Sequence, residues 1–319
     1  DALQSLYKAA KAEGQVILWS PLDPPEVRML VEAFNKEFPG IEVNHFEIRP
    51  SDFASRVVAE AQQGRISFDV GTGRLAAISP LIQRGLIESH QDWTKIFTAL
   101  KPAAVSDEGR LLTIYSLFYP IAYHTKLIRP TDVPTSWKDL LDSKWKNKII
   151  VEPRANAFAY LGLKWGEEAM VDYLKKLRVQ DPIFVKGGSG VVQQLIAGVA
   201  PLAVGGNVHN ILQRKDEGAP VGWASKASPI GATDNVMFTM KGAKHPNAAK
   251  LFTGWLASDR AQDVMATKLF RAAAVPGSSY VVMKELEKNR VEIVRETPEN
   301  YQKVRALDKS AVKALGVLK

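Results

Sequence analysis

The fold is best inferred from the stretch Lys186-Gly-Gly-Ser-Gly-Val-Val-Gln-Gln-Leu-Ile-Ala-Gly-Val-Ala-Pro-Leu-Ala-Val-Gly-Gly-Asn-Val-His-Asn210. In it a glycine-rich loop precedes an amphipathic helix, and a short apolar strand leads to a second pair of glycines. The first N–H groups of a helix lack internal partners and the helix dipole is positive there, so this loop indicates an anion site. The strand's carboxyl end presents Asn207, His209 and Asn210, on the edge where open α/β sheets bind ligands. We therefore expect an α/β fold with a ligand site at strand ends.

The rest of the chain alternates strand-like and helical segments in the same way. Apolar strands are predicted at 16–19, 41–46 and 68–70, with helices beginning at Pro24 and Ser51 between them. Because such alternation is typical of parallel sheets covered by helices, the chain is assigned to the α/β class. The other expected helices are 1–11, 247–257, 259–269 and the last forty residues.

An apolar and aromatic run at 111–123 is too long for one average strand and is interrupted by Pro120. A chain that crosses between two domains has this character, and the second candidate crossing is 236–240. A length of 319 residues also exceeds what one core needs. We therefore predict two lobes, 1–117 plus 237–270 and 118–236 plus 271–319, with the ligand cleft between them.

Composition narrows the function classes. The 42 basic and 34 acidic residues leave a formal charge of +8, and the basic residues are spread along the chain. A nucleic-acid-binding protein would concentrate them on one stripe, so none is expected as a partner. A solvated basic surface is the simpler explanation of the excess, and an anionic ligand is the second. The chain begins at Asp1, which fits a cleaved signal peptide, although a trimmed recombinant chain would look the same.

Motifs for catalysis are missing from the sequence. Cysteine is absent, no Gly-Lys-Ser/Thr follows the loop at 187–190, and Gly71-Thr72-Gly73 lacks the third glycine of a dinucleotide fingerprint. The five histidines never occur at the i, i+4 spacing of a metal site. We therefore expect no enzyme, no cofactor and no metal. A deaminase or transferase on the same fold, or a regulator's effector domain, stays open as an alternative.

Two arginines are the strongest candidates for an anion. Arg74 and Arg154 each follow a predicted strand beside Gly, Pro or Asn, and a guanidinium suits carboxylate or phosphate. A surface salt bridge is the alternative for each. Ser20 and Thr72 are equally well explained as helix caps, and Tyr119 as core. The expected ligand-binding residues are Ser20, Thr72, Arg74, Tyr119, Arg154, Asn156, Gly188, Ser189, Asn207 and His209.

Two longer segments resemble a known family. The segments are Pro134-Thr-Ser-Trp-Lys-Asp-Leu-Leu-Asp-Ser-Lys-Trp-Lys-Asn-Lys-Ile149, followed by Glu152-Pro153-Arg154, and His245-Pro-Asn-Ala-Ala-Lys-Leu-Phe-Thr-Gly-Trp-Leu-Ala-Ser-Asp-Arg-Ala-Gln262. They resemble bacterial extracellular solute-binding proteins of the ferric-iron-binding-like group, over nearly the whole chain. The resemblance implies a type 2 periplasmic binding fold, two crossing strands and hinge closure on the solute. It also implies a protein of the periplasm, or one secreted and membrane-associated in the cell envelope, that delivers its solute to the membrane permease of an ABC transporter. We expect this protein to be a monomer.

The chain differs from the ferric binders of that group in the residues expected to bind the ligand. The group's ferric binders carry two adjacent tyrosines just after the strand that here ends at Asn207, whereas this chain has His209 and Asn210 and no adjacent tyrosine pair. Neutral imidazole and amide would hold ferric ion poorly. A polyamine would need acidic residues, and the strand-end loops supply only Glu152 and Asp234. We therefore expect a small organic anion, a carboxylate, phosphate ester or phosphonate, with a ferric ion as the alternative.

Overall fold

The computed structural model describes residues 1–317. Its α-helices are α1 (Ala2–Glu13), α2 (Pro24–Glu37), α3 (Pro50–Gln62), α4 (Ser79–Gln83), α5 (Trp93–Ile96), α6 (Asn156–Trp165), α7 (Glu167–Val179), α8 (Gly188–Ile196), α9 (Val208–Asp216), α10 (Pro246–Leu256), α11 (Asp259–Lys268), α12 (Val281–Lys288) and α13 (Tyr301–Leu315). Its strands are β1 (Gln15–Ser20), β2 (Glu42–Glu47), β3 (Val70–Arg74), β4 (Val105–Ser106), β5 (Leu111–Tyr119), β6 (Ile121–His124), β7 (Ile149–Val151), β8 (Ile183–Phe184), β9 (Leu202–Val204), β10 (Val221–Trp223), β11 (Ile230–Thr239) and β12 (Ile293–Arg295). Short 3₁₀ helices lie at Leu75–Ile78, Pro102–Ala104, Asp107–Gly109, Pro130–Asp132, Trp137–Leu141 and Ser143–Trp145.

The described chain packs as two compact units. Unit 1 comprises Asp1–Ser116 and Asp234–Tyr280, and unit 2 comprises Leu117–Thr233 and the described residues from Val281 onward. The chain therefore passes from one unit to the other inside β5, inside β11 and just before α12. Pro120 separates the long apolar run into β5 and β6, because a proline has no N–H to donate to a neighbouring strand.

Unit 1 is built on a sheet whose strand order is β2-β1-β3-β11-β5-β4. Strand β1 runs parallel to both β2 and β3, while β11 is antiparallel to β3. One face of this sheet is packed with aromatic rings, including Trp19 stacked on Phe68 with ring centroids 4.4 Å apart. The buried Asp69 carboxylate accepts hydrogen bonds from Ile17 N and from His245 N and Nδ1, which ties β1 to the start of α10.

The third strand of unit 1 differs from its prediction. It was expected at 68–70, with the glycines that follow in a loop, but β3 runs from Val70 to Arg74. A Cβ on Gly71 would lie 2.7 Å from the Phe238 ring and 2.8 Å from the Phe53 ring. Glycine is needed at this position of the strand because the two aromatic rings leave no space for a side chain. A strand rich in glycine also lacks the alternation of apolar and polar side chains from which strands are predicted.

Unit 2 is built on a sheet of order β10-β6-β9-β7-β8. Strand β7 is parallel to both β8 and β9, whereas β6 is antiparallel to β9 and β10. Helices α6, α7 and α13 pack on one another beside this sheet. Their shared core holds Phe158, Tyr160 and Leu307, each buried.

The last forty residues were expected to be wholly helical, and this was wrong for one segment. Between α12 and α13, β12 pairs in parallel with residues 230–232 of β11. A strand of Ile-Val-Arg is too short to show a period of two, and its pairing with a strand about sixty residues away leaves no local signal.

Candidate functional site

The starts of α6, α8 and α9 lie at the same edge of the unit 2 sheet. Strands β8, β7 and β9 are parallel neighbours, so their carboxyl ends share one edge, and each strand leads directly into one of these helices. Each helix start carries backbone N–H groups without internal partners and the positive end of a dipole. This edge therefore has the chemistry of an anion site, as the sequence indicated for α8.

The glycine-rich loop has a packing role that the sequence did not predict. Gly188 begins α8, and a Cβ there would lie 2.6 Å from the carbonyl oxygen of Gly205. The glycine thus lets the start of α8 approach the loop between β9 and α9. Its Cα faces protein backbone instead of open space for a ligand, so Gly188 shapes the site by bringing two helix starts together.

The polar cluster after β9 forms the start of α9. Asn207 is the helix N-cap, and its side chain accepts a hydrogen bond from Asn210 N at 3.3 Å. His209 is half-buried in the first turn. The exposed Ser189 and the half-buried Asn210 line a groove of about 570 Å³ between α8 and α9, together with Gln193, Gln213 and Arg214. Asn207 therefore caps α9, while Ser189 and Asn210 face the groove between α8 and α9.

Arg154 stands at the ends of β7 and β8. Its side chain is exposed and has no hydrogen-bond or ion-pair partner within residues 1–317. It lines a pocket of about 400 Å³ with Glu152, Phe184 and Lys186. Asn156 is the first residue of α6 and is half-buried. The salt bridge considered for Arg154 is absent from the described chain, so its guanidinium is available to an anion.

Tyr119 belongs to the packing of unit 2. Its hydroxyl lies 3.0 Å from Thr233 Oγ1, and its ring stacks on Tyr160 at 5.7 Å between centroids. Of the two roles left open for this residue, the contacts favour the packing role.

In unit 1, Ser20 ends β1 but is completely buried. Its Oγ accepts a hydrogen bond from Leu22 N at 3.2 Å and lies 2.9 Å from Nε2 of His45. Burial is the main cause that lowers the pKa of His45 below its ordinary 6.5. The Ser20 hydroxyl is thus already engaged, and its burial argues against direct contact with a solute.

Thr72 and Arg74 lie in β3 beside the end of β1. The parallel register pairs Leu18 with Val70 and Trp19 with Gly71, so its continuation sets Ser20 beside Thr72. Thr72 is 1% exposed, and its Oγ1 has no hydrogen-bond partner in the described part of the chain. Both residues line a cavity of only about 10 Å³, which is water-sized.

Arg271 is a buried, ion-paired arginine of unit 1 that the sequence did not indicate. It is 8% exposed, donates a hydrogen bond from Nη2 to Glu26, and stacks 4.7 Å from the Tyr115 ring centroid. It stands in Phe-Arg-Ala-Ala-Ala, outside any strand end or glycine loop, so no local signal marks it.

Among the described residues, no group of three or more histidine or carboxylate side chains is placed to hold a metal ion. No helix among them is long and apolar enough to span a membrane.

Comparisons with known proteins agree on one fold. A family model described as bacterial extracellular solute-binding protein matches residues 29–289. The substrate-binding protein of an ABC transporter from Agrobacterium tumefaciens is similar with a TM-score of 0.75 at 14% identity, covering 94% of each chain. Iron-bound HitA from Pseudomonas aeruginosa gives 0.72 at 17% identity, covering 95% of this chain and 99% of that one. The periplasmic binding protein AfuA from Actinobacillus pleuropneumoniae, with fructose-6-phosphate bound, gives 0.69 at 18%, covering 96% and 99%. The expected two-lobed α/β fold is confirmed.

Proposed function

Because the chain belongs to the family of bacterial extracellular solute-binding proteins, we propose that it is the periplasmic receptor of an ABC importer and binds a small organic anion. The anion is a carboxylate, a phosphate ester or a phosphonate. In this proposal the protein binds and releases its solute unchanged, works as a monomer, and passes the solute to the membrane permease.

The assignment of an anionic solute rests on one observation: α6, α8 and α9 begin at the same edge of the unit 2 sheet. Helix starts favour negative charge by up to about 1 kcal/mol each at exposed positions. Arg154, at the same edge and without an ion-pair partner in residues 1–317, adds a full positive charge. Arg154 and Lys186 together outweigh the single carboxylate of Glu152 in the same pocket. These charges support an anion over a cationic solute such as a polyamine.

Two kinds of relative suggest which anion to test. AfuA was solved with a sugar phosphate and HitA with iron, and both share only the fold with this chain. A ferric ion needs hard anionic ligands, and the start of α9 offers His209 and Asn210 where the ferric binders of the group carry tyrosines. The proposal therefore favours the phosphorylated or carboxylated solute.

The first experiment is native mass spectrometry of protein purified without refolding. We expect an organic adduct bearing phosphate, phosphonate or carboxylate. Calorimetry then follows with an anion panel of inorganic phosphate, methylphosphonate, fructose 6-phosphate and citrate. A ferric adduct that persists in buffer without these anions would contradict the proposal, and so would turnover of any bound compound.

Arg154→Ala tests the site itself. Loss of a charged hydrogen-bond donor is expected to weaken binding of the best panel anion by about 1.5–3 kcal/mol. Arg129→Ala is the matched control, because that exposed arginine of unit 2 pairs with Asp132 at 2.8 Å, outside the sheet edge. Calorimetry that gave both variants the same affinity would remove Arg154 from the site.

A further inference from the structure

The pocket beside Arg154 is larger than a single anionic group needs. Its volume is about 400 Å³, within the range of roughly 300–1,000 Å³ that is typical of small-molecule sites. Unit 2 alone forms it, between the ends of β7 and β8 and the end of α13. A carboxylate or phosphate paired with Arg154 would occupy only part of this volume, so the rest of the lining indicates what else the solute carries.

The lining from β8 and α13 is apolar. Phe184 is 38% exposed and Val317 is 39% exposed, and Val185 and Val312 line the pocket beside them. The ring of Phe184 contacts no other aromatic ring within residues 1–317. Single exposed apolar residues are common on protein surfaces. Here two of them come from distant parts of the chain and line one concave pocket, which is typical of a ligand site.

The backbone on both sides of Phe184 is fixed by β7. In the parallel register Ile183 lies beside Ile150 and Phe184 beside Val151. After the strand, Val185 N donates to the carbonyl of Val151 at 3.0 Å. Strand β8 is also the last strand on this side of the sheet in the described chain. The ring of Phe184 is therefore held at a defined place, with no further strand to cover it.

The other lining side chains are charged, and they are Glu152, Arg154 and Lys186. A turn holds Arg154 at the end of β7, because Ala155 N donates to the carbonyl of Glu152 at 3.0 Å and the ring of Pro153 fixes its own φ. Neither Arg154 nor Lys186 has an ion-pair partner among residues 1–317. The pocket thus combines two cations that lack ion pairs with an apolar wall, which fits an anion that has an apolar part.

From these contacts we propose that the solute is an anion with an apolar ring, an aryl phosphate or an aryl carboxylate, and that Phe184 is a specificity-determining residue. Arg154 and Lys186 pair with the charged group, while the ring of the solute packs against Phe184, Val312 and Val317. The inference rests on the proposed function and narrows its solute class. A sugar phosphate such as fructose 6-phosphate has hydroxyl groups where this wall favours apolar surface.

Calorimetry with two matched pairs of anions tests this inference. The pairs are phenyl phosphate with methyl phosphate, and benzoate with acetate, so that within each pair a phenyl group replaces a methyl group. We expect the wild-type protein to bind the aryl member of a pair about tenfold or more tightly than the methyl member, because the pocket removes the apolar surface of the ring from water.

Variants assign that preference to Phe184. Phe184→Ala is expected to remove most of the preference and to leave the affinity for the methyl member unchanged, whereas Phe184→Leu keeps part of the preference. Arg154→Ala is expected to weaken both members of a pair equally. Leu127→Ala is the matched control, because Leu127 is an exposed apolar residue of unit 2 outside this pocket. Thermal unfolding checks that each variant is folded.

The outcomes separate the two proposals. If no anion of the panel or of the two pairs binds, the proposed function fails and this inference fails with it. If the wild-type protein binds an anion without preferring the aryl members, or if Phe184→Ala keeps the preference, only the inference is wrong. Sedimentation velocity tests a different occupant of the pocket. A wild-type dimer that Phe184→Ala dissociates would assign Phe184 to an interface between copies of the chain and would also overturn the inference.

Discussion

His45 and His90 are half-buried in unit 1, and burial is the main cause that lowers the pKa of each below 6.5. His45 lies against Ser20 and Glu47, and His90 faces Thr239, Lys250, Asp92 and Glu88. A histidine with a lowered folded-state pKa binds protons less readily when folded than when unfolded. As pH falls below about 6.5 the unfolded state therefore takes up more protons, and stability decreases.

We expect the free energy of unfolding in urea to fall between about pH 7 and pH 5, with the double variant His45→Gln/His90→Gln showing a shallower fall. Chemical denaturation at several pH values measures both slopes. An identical slope in wild type and double variant would mean that these histidines do not carry the effect.

Single residues also mark how far sequence could predict the site. Arg154 and Asn156 are predicted site residues whose place at the sheet edge follows from chain order alone, because both come directly after β7; their role stays a proposal. The engagement of Ser20 could not be foreseen, since its partner His45 lies on a neighbouring strand 25 residues away. The pairing of Arg271 was missed for the same reason: its partner Glu26 is 245 residues distant in sequence.

Among the elements, α8 depends on its glycine loop for position. In Gly188→Ala the new Cβ would meet the Gly205 carbonyl at 2.6 Å, and backbone cannot give way cheaply. We expect the start of α8 to shift, which costs about 1–3 kcal/mol of stability and weakens binding of the best panel anion. Gly190→Ala is the matched control, because its nearest neighbour is a side-chain carbon of Val185 at 3.3 Å. Calorimetry and urea unfolding compare the two, and equal behaviour would contradict the assigned role of Gly188.

The helices that the sequence predicts well have residues at their starts that favour a first helical turn. Helices α2, α10 and α11 start at Pro24, Pro246 and Asp259, where proline or an acidic residue favours a first turn. Strand β3 lacked such a signal because Gly71 and Gly73 hide its period, and β12 is too short to show one. Both strands are fixed by pairing with β11, a contact that local sequence does not encode.

For the whole molecule, the family resemblance implies hinge closure on the solute, which stays a prediction. A ligand that binds the closed state more tightly shifts the population toward it. We expect the radius of gyration from small-angle X-ray scattering to decrease when the best panel anion is added to saturation. Arg154→Ala is expected to need more anion for the same decrease. An unchanged radius at saturation would rule out closure as the response to this ligand.

The interleaving of the two units sets the timing of their folding. In unit 1 the carboxylate of Glu13 accepts hydrogen bonds from Asn247 N and Ala248 N, so the first helix rests on α10. A ribosome must synthesise all of residues 117–233 before α10 exists. Unit 1 therefore cannot finish folding until the residues up to Tyr280 have been made, although it contains the N-terminus, and unit 2 also needs the segment that begins at Val281. Neither unit is complete before most of the chain has been synthesised, and under the proposed function this order favours export before folding.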